Sequence, residues 1–453
     1  MLRKALLSLT AAAVGLIFSS AVLADTLFMK NGDKIAGDIT QVEIENDYSL
    51  VPVNAEGISK LIFSDSYEEG RNVLIMKNGD KISGIINQVE IQTDYGLIKF
   101  SGKGIEMISF SVEPPLILGW KFSTGAPISS SPLLKQDKLY AGSWDHFLYA
   151  LNAMDGRLIW KYQGGDGIYH SAPTLSNDSL YITADDGNLF ALDAEDGKLK
   201  WKRWVGSNMY SSPVVSDGLV YVGCSNGKIC ALEANSGKFR WTYKTGGWVD
   251  AGPAVSRNLL VAGSGDYQVY ALNAQTGRLR WKYLTRGNIS SSPLLTEEMA
   301  YVGSWDHFLY ALEAKTGQLK WKFKTGGAIS SSPVLAGSTL YVGSWDHFLY
   351  ALEAKTGQLK WKFKTDGYLD DAPLITGNTV YVCSSEGRVY AIERDIGKEK
   401  WTYALEERIK CTPVEGQGFL YLTSYDGFIY ALESITSAKL RKGEVPSLPE
   451  NHP

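Results

Sequence analysis

From Trp120 into the 430s, short apolar runs alternate with polar, glycine-bearing turns, and the alternation keeps a fixed beat. Trp120, Trp160, Trp201, Trp241, Trp281, Trp321, Trp361 and Trp401 stand 40 residues apart, with a single step of 41. Within one unit, "AISSSPVL" reads as a short first strand, "TLYVGS" as a second, "FLYALEA" as a third and "KWKFKT" as a fourth. β-Branched and aromatic runs bounded by Gly, Asn, Asp and Ser favour strands. A period of this length marks a repeat architecture. Four strands per unit, repeated radially, predict an all-β chain whose main body is an eight-bladed β-propeller of four-stranded blades. The last unit supplies "IKCTPV", "FLYLTS" and "FIYAL" but no Trp strand, whereas "GWKFST" near Gly119 is a Trp strand with no unit before it. Pairing the two closes the ring and removes both sheet edges, which otherwise invite aggregation.

Outside the beat, the chain divides into further segments. Residues 1–24 carry Arg3 and Lys4, an apolar stretch from Ala5 to Phe18 and a Val22-Leu23-Ala24 cleavage pattern, the form of a secretory signal peptide. No Cys follows the cleavage site, so no lipoprotein anchor is encoded there. Residues 25–113 hold their own repeat, in which "LFMKNGDKIAGDITQVEIENDYSL" is echoed 47 residues later by "LIMKNGDKISGIINQVEIQTDYGL". Their Asn-Gly steps are hairpin signals, and the segment reads as a small β domain of two SH3-like modules, structural or peptide-binding. Pro114-Pro115 stiffens the boundary to the propeller at 114–433, and the polar tail 434–453 reads as disordered.

Removing the leader shifts the formal net charge from −4 to about −6, which argues against nucleic acid and anionic membrane surfaces as partners. No later stretch reaches the roughly 18 apolar residues of a membrane span. Four cysteines (Cys224, Cys230, Cys383, Cys411) are too few for a disulfide scaffold, and no CxxC or Cys/His cluster points to zinc. Whether they pair is left open by their spacing.

The phrase "LYALEAKTGQLKW" followed by "ISSSP" resembles the PQQ-like repeat, a family named for quinoprotein dehydrogenases but shared by many proteins that bind no quinone. Within it, the size, the export signal and the uniform blades are most similar to BamB-type propellers of the outer-membrane barrel-assembly machinery. That resemblance implies a periplasmic, non-enzymatic scaffold without cofactor or metal, whose partner is another cell-envelope protein such as a barrel-assembly component. The missing lipid-attachment Cys is a departure from the type. The competing readings are a PQQ-dependent dehydrogenase or a ligand-sensing propeller. A dehydrogenase requires a metal to polarise the quinone, a catalytic carboxylate and stacking walls. In the family these come with insertions and adjacent cysteines, and near-constant 40-residue blades leave no room for them. In the same family the repeated Trp docks one blade on the next, so the eight beat tryptophans are structural.

Two features remain as candidate chemistry. Trp-Asp-His triplets at 144–146, 305–307 and 345–347 lie in the turn between second and third strands, where other units carry Asp-Gly or Asn-Gly. Histidine tolerates the left-handed conformation better than most residues, so His146, His307 and His347 replace turn glycines and are too far apart around the ring to share one metal ion. Trp144, Trp305 and Trp345 beside an Asp offer a contact patch. The second feature is the third residue before each unit's Pro, which reads Ser129, His170, Tyr210, Asp250, Ser290, Ser330, Asp370 and Lys410 around the ring. A repeat uniform elsewhere but uneven here reads either as solvated strand starts or as a recognition surface at the channel mouth. The candidate partner-binding set is therefore Asp250, Asp370, Asp371, His170 and Lys410 with the three turn tryptophans. BamB-type proteins carry acids near a comparable "DxxP" stretch that contacts the partner, a likeness that extends to Asp250 or Asp370. In an up-and-down blade, strand-one starts and second–third turns share one end, so the set should lie on one face.

Overall fold

The computed structural model describes side chains for residues 116–433, apart from 166, 169, 170, 207 and 406, together with backbone strands between 25 and 109 and at 434. The leader and the tail lie outside the described residues. Between 25 and 109 the strands form one sheet in the order Lys34–Glu45, Asp25–Met29, Ile105–Ser109, Ile58–Ile62, Asn72–Met76, Lys81–Thr93, Gly96–Ser101. The long strands of the two sequence repeats, Lys34–Glu45 and Lys81–Thr93, also pair directly and antiparallel.

The second unit is the eight-bladed propeller, eight antiparallel four-stranded sheets in chain order. Blade 6 is representative, with strands Val334–Ala336, Thr339–Gly343, Phe348–Glu353 and Leu359–Lys364. The two middle strands are sandwiched between neighbouring blades and are buried on both faces, which is why they read as unbroken apolar runs. The outermost strand alternates exposed lysines with half-buried Trp361 and Phe363. The first strand is shorter than the run "AISSSPVL" suggests. Pro333 cannot donate to a ladder, and Ser331 turns its hydroxyl to the Gly343 N–H at 3.1 Å in place of strand pairing.

No blade has a core of its own. Eight buried clusters each combine residues of two adjacent blades, as where Tyr341, Leu349 and Ala351 of blade 6 pack with Val380, Val382 and Ile392 of blade 7. The beat tryptophans lock these boundaries. Trp321 donates its indole N–H to the Ala354 carbonyl of the next blade at 3.0 Å, and Tyr301 donates its hydroxyl to the same oxygen at 3.1 Å. The pairs Tyr140/Trp160 on Ala194 and Tyr181/Trp201 on Ala234 repeat this double bond. At seven boundaries the ring face of the Trp covers the turn glycine beside that carbonyl. Gly197, at φ 73°, has no space for a Cβ against Trp160.

The ring closes through its ends. Leu116–Ser123 pairs antiparallel with Phe428–Ser434 as the outermost strand of blade 8, and Trp120 then reaches Ala153 of blade 1 at 3.0 Å. Closure by this strand makes a clear expectation. Deleting residues 1–125 removes the strand and lowers the urea midpoint of the propeller, whereas deleting 1–112 leaves it unchanged. Equal midpoints for the two truncations would show that blade 8 does not need it.

The repeat also contains a built-in comparison. The Tyr221 hydroxyl, in the position of Tyr181, is buried and finds no acceptor. Tyr181→Phe is expected to cost about 0.5–1.5 kcal/mol, the net worth of a hydrogen bond, while Tyr221→Phe is neutral or stabilising. Chemical denaturation of both variants checks the difference.

Candidate functional site

The Trp-Asp-His turns are built by their middle and last residues. Asp346 accepts the Phe348 N–H at 3.1 Å and the Tyr350 hydroxyl at 2.6 Å, and it also takes the Gly326 N–H, just past the preceding blade's last strand, at 2.5 Å. The Asp therefore spans two blades. The His takes the left-handed conformation, at φ 73°, 72° and 69° for His146, His307 and His347. Its place is held by Gly187, Gly227, Gly387 and Gly427 in other turns and by Tyr267, at φ 70°, in blade 4. Among the described residues, no three His, Cys, Asp or Glu side chains converge as a metal site.

The Trp of each turn is what remains outward. Trp144, Trp305 and Trp345 are 38%, 38% and 41% exposed. Their indole N–H groups donate to the channel-mouth serines Ser129, Ser290 and Ser330 at 3.1, 2.7 and 2.8 Å. The turns and the uneven positions thus lie on one face, as the up-and-down strand order requires.

The acids of that face are engaged within the protein. Asp370 accepts from Trp345 at 2.6 Å and Ser330 at 2.7 Å, and its other oxygen lies 3.5 Å from the Arg408 guanidinium. Its side chain is only 15% exposed. Asp250, on blade 4, accepts the Ser225 hydroxyl of blade 3 at 2.6 Å, and burial raises its pKa. Asp371 has an enclosed carboxyl. Burial first, and then the Asp370 charge, push it up to about 7 in spite of Lys410 and Arg408 nearby. Lys410 is half-buried, and His170 lies outside the described residues.

Three residues that the uneven-position pattern does not single out complete the surface. Trp305 and Trp345 have ring centroids 5.6 Å apart, and Trp345 and Tyr368 are also 5.6 Å apart. The Arg408 guanidinium sits over Tyr368 at 5.2 Å and over Tyr425 at 5.4 Å, and Tyr425 meets Trp144 at 6.1 Å. One arc of aromatic rings with an arginine in its middle therefore runs from blade 5 through blades 6, 7 and 8 to blade 1. Its signal in the sequence is a second uneven position, the fifth residue before each Pro. There Tyr368 and Arg408 hand their carbonyls to the first turn residues Ser385 and Tyr425.

With this geometry in view, the chain can be set beside known proteins. Residues 118–248 and 245–441 match the family described as outer membrane protein assembly factor BamB. The chain belongs to this family. BamB from Moraxella catarrhalis superposes with a TM-score of 0.61 at 19% identity, covering 70% of this chain and 99% of that one. A quinohemoprotein alcohol dehydrogenase from Pseudomonas putida superposes with a TM-score of 0.63 at 16% identity, over 75% of this chain and 78% of that one. A computationally designed protein, Ika8, gives 0.62 at 14%, over 69% and 98%. At these identities the likeness is one of fold. No curated protein matches the chain in sequence. The residues do not fit a quinone and its metal. Among those described, no cluster of carboxylate or imidazole donors is assembled, and the acids of the aromatic face are already bonded to Trp, Ser and Arg.

Asp371 gives the face a pH signature. Its folded pKa lies above the ordinary value of 3.8, so the protonated form favours the folded chain. That stabilisation is fully present below about pH 4 and is lost as pH rises through about 7. Asp371→Asn is therefore expected to raise the urea midpoint at pH 8 and leave it unchanged at pH 4. A wild-type midpoint that is flat over this range would contradict the assignment.

Proposed function

We propose that the protein is a non-enzymatic scaffold of the bacterial cell envelope that works in the periplasm in outer-membrane protein assembly, using the aromatic face of the propeller to hold a barrel-assembly component. The observation that carries this reading is the match of both halves of the propeller to the assembly-factor family. The arc supports the choice of face. Exposed tryptophans with half-buried tyrosines flanking an arginine are the residue types that dominate protein interfaces. Here the tryptophans are held rigid by hydrogen bonds to Ser129, Ser290 and Ser330, which limits the ordering cost on binding. Asp250 and Asp370 act in this reading as supports, holding Ser225, Trp345 and Arg408 in place. The export signal in residues 1–24 supplies the compartment.

Crosslinking in intact envelopes, followed by affinity capture of the protein, tests the proposal. Wild type is expected to enrich a barrel-assembly component. Trp305→Ala combined with Trp345→Ala should reduce that enrichment about tenfold or more. Lys315→Glu with Lys355→Glu, in the third–fourth strand turns at the opposite end of the blades, should leave it intact. Capture unaffected by the Trp pair would move the site elsewhere. Dye reduction with alcohol or sugar after reconstitution with PQQ and Ca²⁺ would overturn the non-enzymatic reading.

A further inference from the structure

The repeat supplies its own control for residues that depart from it. The four cysteines are all buried, and each stands where other blades carry something else. Cys224 opens a second–third turn in the place of Ser264, Ser304 and Ser344, and Cys230 takes the third-strand place of Tyr270, Tyr310 and Tyr350. Cys383 ends a second strand where Gly303 and Gly343 end theirs, and Cys411 holds the place of Ser291 and Ser331. Cys411 keeps the serine's contact, its Sγ accepting the Thr423 N–H at 3.4 Å.

The departures come in touching pairs. On blade 3, Cys230 faces Val222 across the ladder, so Cys224 lies one pleat further on the same side, and the two free thiols share one buried cluster. At the boundary of blades 7 and 8 the contact follows from crowding. A Cβ at Gly303 or Gly343 would run into Ile329 or Leu369 of the following blade. Cys383 places a side chain at that position, in one buried cluster with Ile409 and Cys411 of blade 8, all thiols free. Blade 3 also gives up a polar contact for its pair. In five blades the third-strand Tyr donates to the turn Asp, as Tyr310 does to Asp306 at 2.7 Å. With Cys230 in that place, the Asn226 Oδ1 of the turn is buried without a donor. All four cysteines of a 453-residue chain are thus used in two contacts, each made by two departures from the repeat.

We propose that Cys224–Cys230 and Cys383–Cys411 form disulfides when the chain folds in an oxidising compartment. Each closure breaks two S–H bonds and forms one S–S bond, and its two electrons and two protons pass to a disulfide oxidant, whose own S–S bond breaks to give the dithiol. Burial in apolar surroundings disfavours the reactive thiolate and hides all four sulfurs from an oxidant, so closure is expected before the blades finish packing. The first bond ties one hairpin. The second crosses from blade 7 to blade 8 and closes the longer loop, so it constrains the unfolded chain more. This inference is independent of the partner-binding reading and draws on the export signal only for the oxidant.

The test takes the mature chain reduced and unfolded, then refolded in a reduced/oxidised glutathione couple. Remaining thiols are alkylated in denaturant and the chain is mapped by mass spectrometry without reduction. The same map is made on protein exported to a bacterial periplasm, so the outcome does not depend on refolding. The expected result is the two linkages with no alkylated cysteine. Reduction should then lower the unfolding midpoint, and Cys383→Ser with Cys411→Ser should lower it more than Cys224→Ser with Cys230→Ser. Four alkylated cysteines in the exported protein, or a linkage between any other two, overturns the proposal.

Discussion

The propeller depends on one repeated contact, an indole N–H meeting a carbonyl of the next blade, which a phenol O–H shares at five of the boundaries. A blade four strands wide cannot enclose its own apolar faces, so stability has to come from its neighbours. The shared carbonyl fixes how one blade meets the next, since Trp321 and Tyr301 reach Ala354 from two different strands. The Trp ring over the turn glycine then fills the space beside it. Because the contact runs from each blade to its successor, the buried clusters follow the boundaries between blades, and the array gains cohesion only as a closed circle.

The fold was legible because this contact writes itself into the sequence at a fixed interval. The beat of eight tryptophans, the turn glycines and the unmatched Trp strand at Gly119 gave blade number, strand order and closure, and the pairing of Leu116–Ser123 with Phe428–Ser434 bears out that closure. The short first strands were less legible, since their apolar letters are used for packing and their serines for side-chain bonds. For the candidate site, the turn tryptophans and channel-mouth positions could be read as sharing an end. What could not be read was which groups consume one another. Asp370 looks like a free acid in sequence, yet Trp345, Ser330 and Arg408 occupy it.

Blades 5 and 6 show why such details escape one-dimensional reading. From Tyr301 to Thr325 and from Tyr341 to Thr365 the sequence is identical, and so are the turn conformations. Trp305 bonds only Ser290 through its indole N–H, whereas Trp345 bonds Ser330 and Asp370. The difference comes from the following blade, which offers Ser330 to one and Asp370 to the other. In a ring, a side chain's surroundings are set by the next repeat, 40 residues away. Duplication therefore copies residues without copying their environments.

Closure between the two ends of the ring also sets an order of events. Thr124 meets Gly427 across a sequence separation of 303, and the cost of bringing such ends together grows only with the logarithm of their separation. The thermodynamic burden is modest, but the temporal one is not. A polypeptide that emerges amino end first presents its closing strand at the outset and the partner of that strand at the very end. Throughout its emergence it is an open arc with an unpaired edge at its leading side. The most vulnerable species in the life of this molecule is thus the nearly complete chain, and the interval before its last hairpin arrives is when a holding chaperone has most to do.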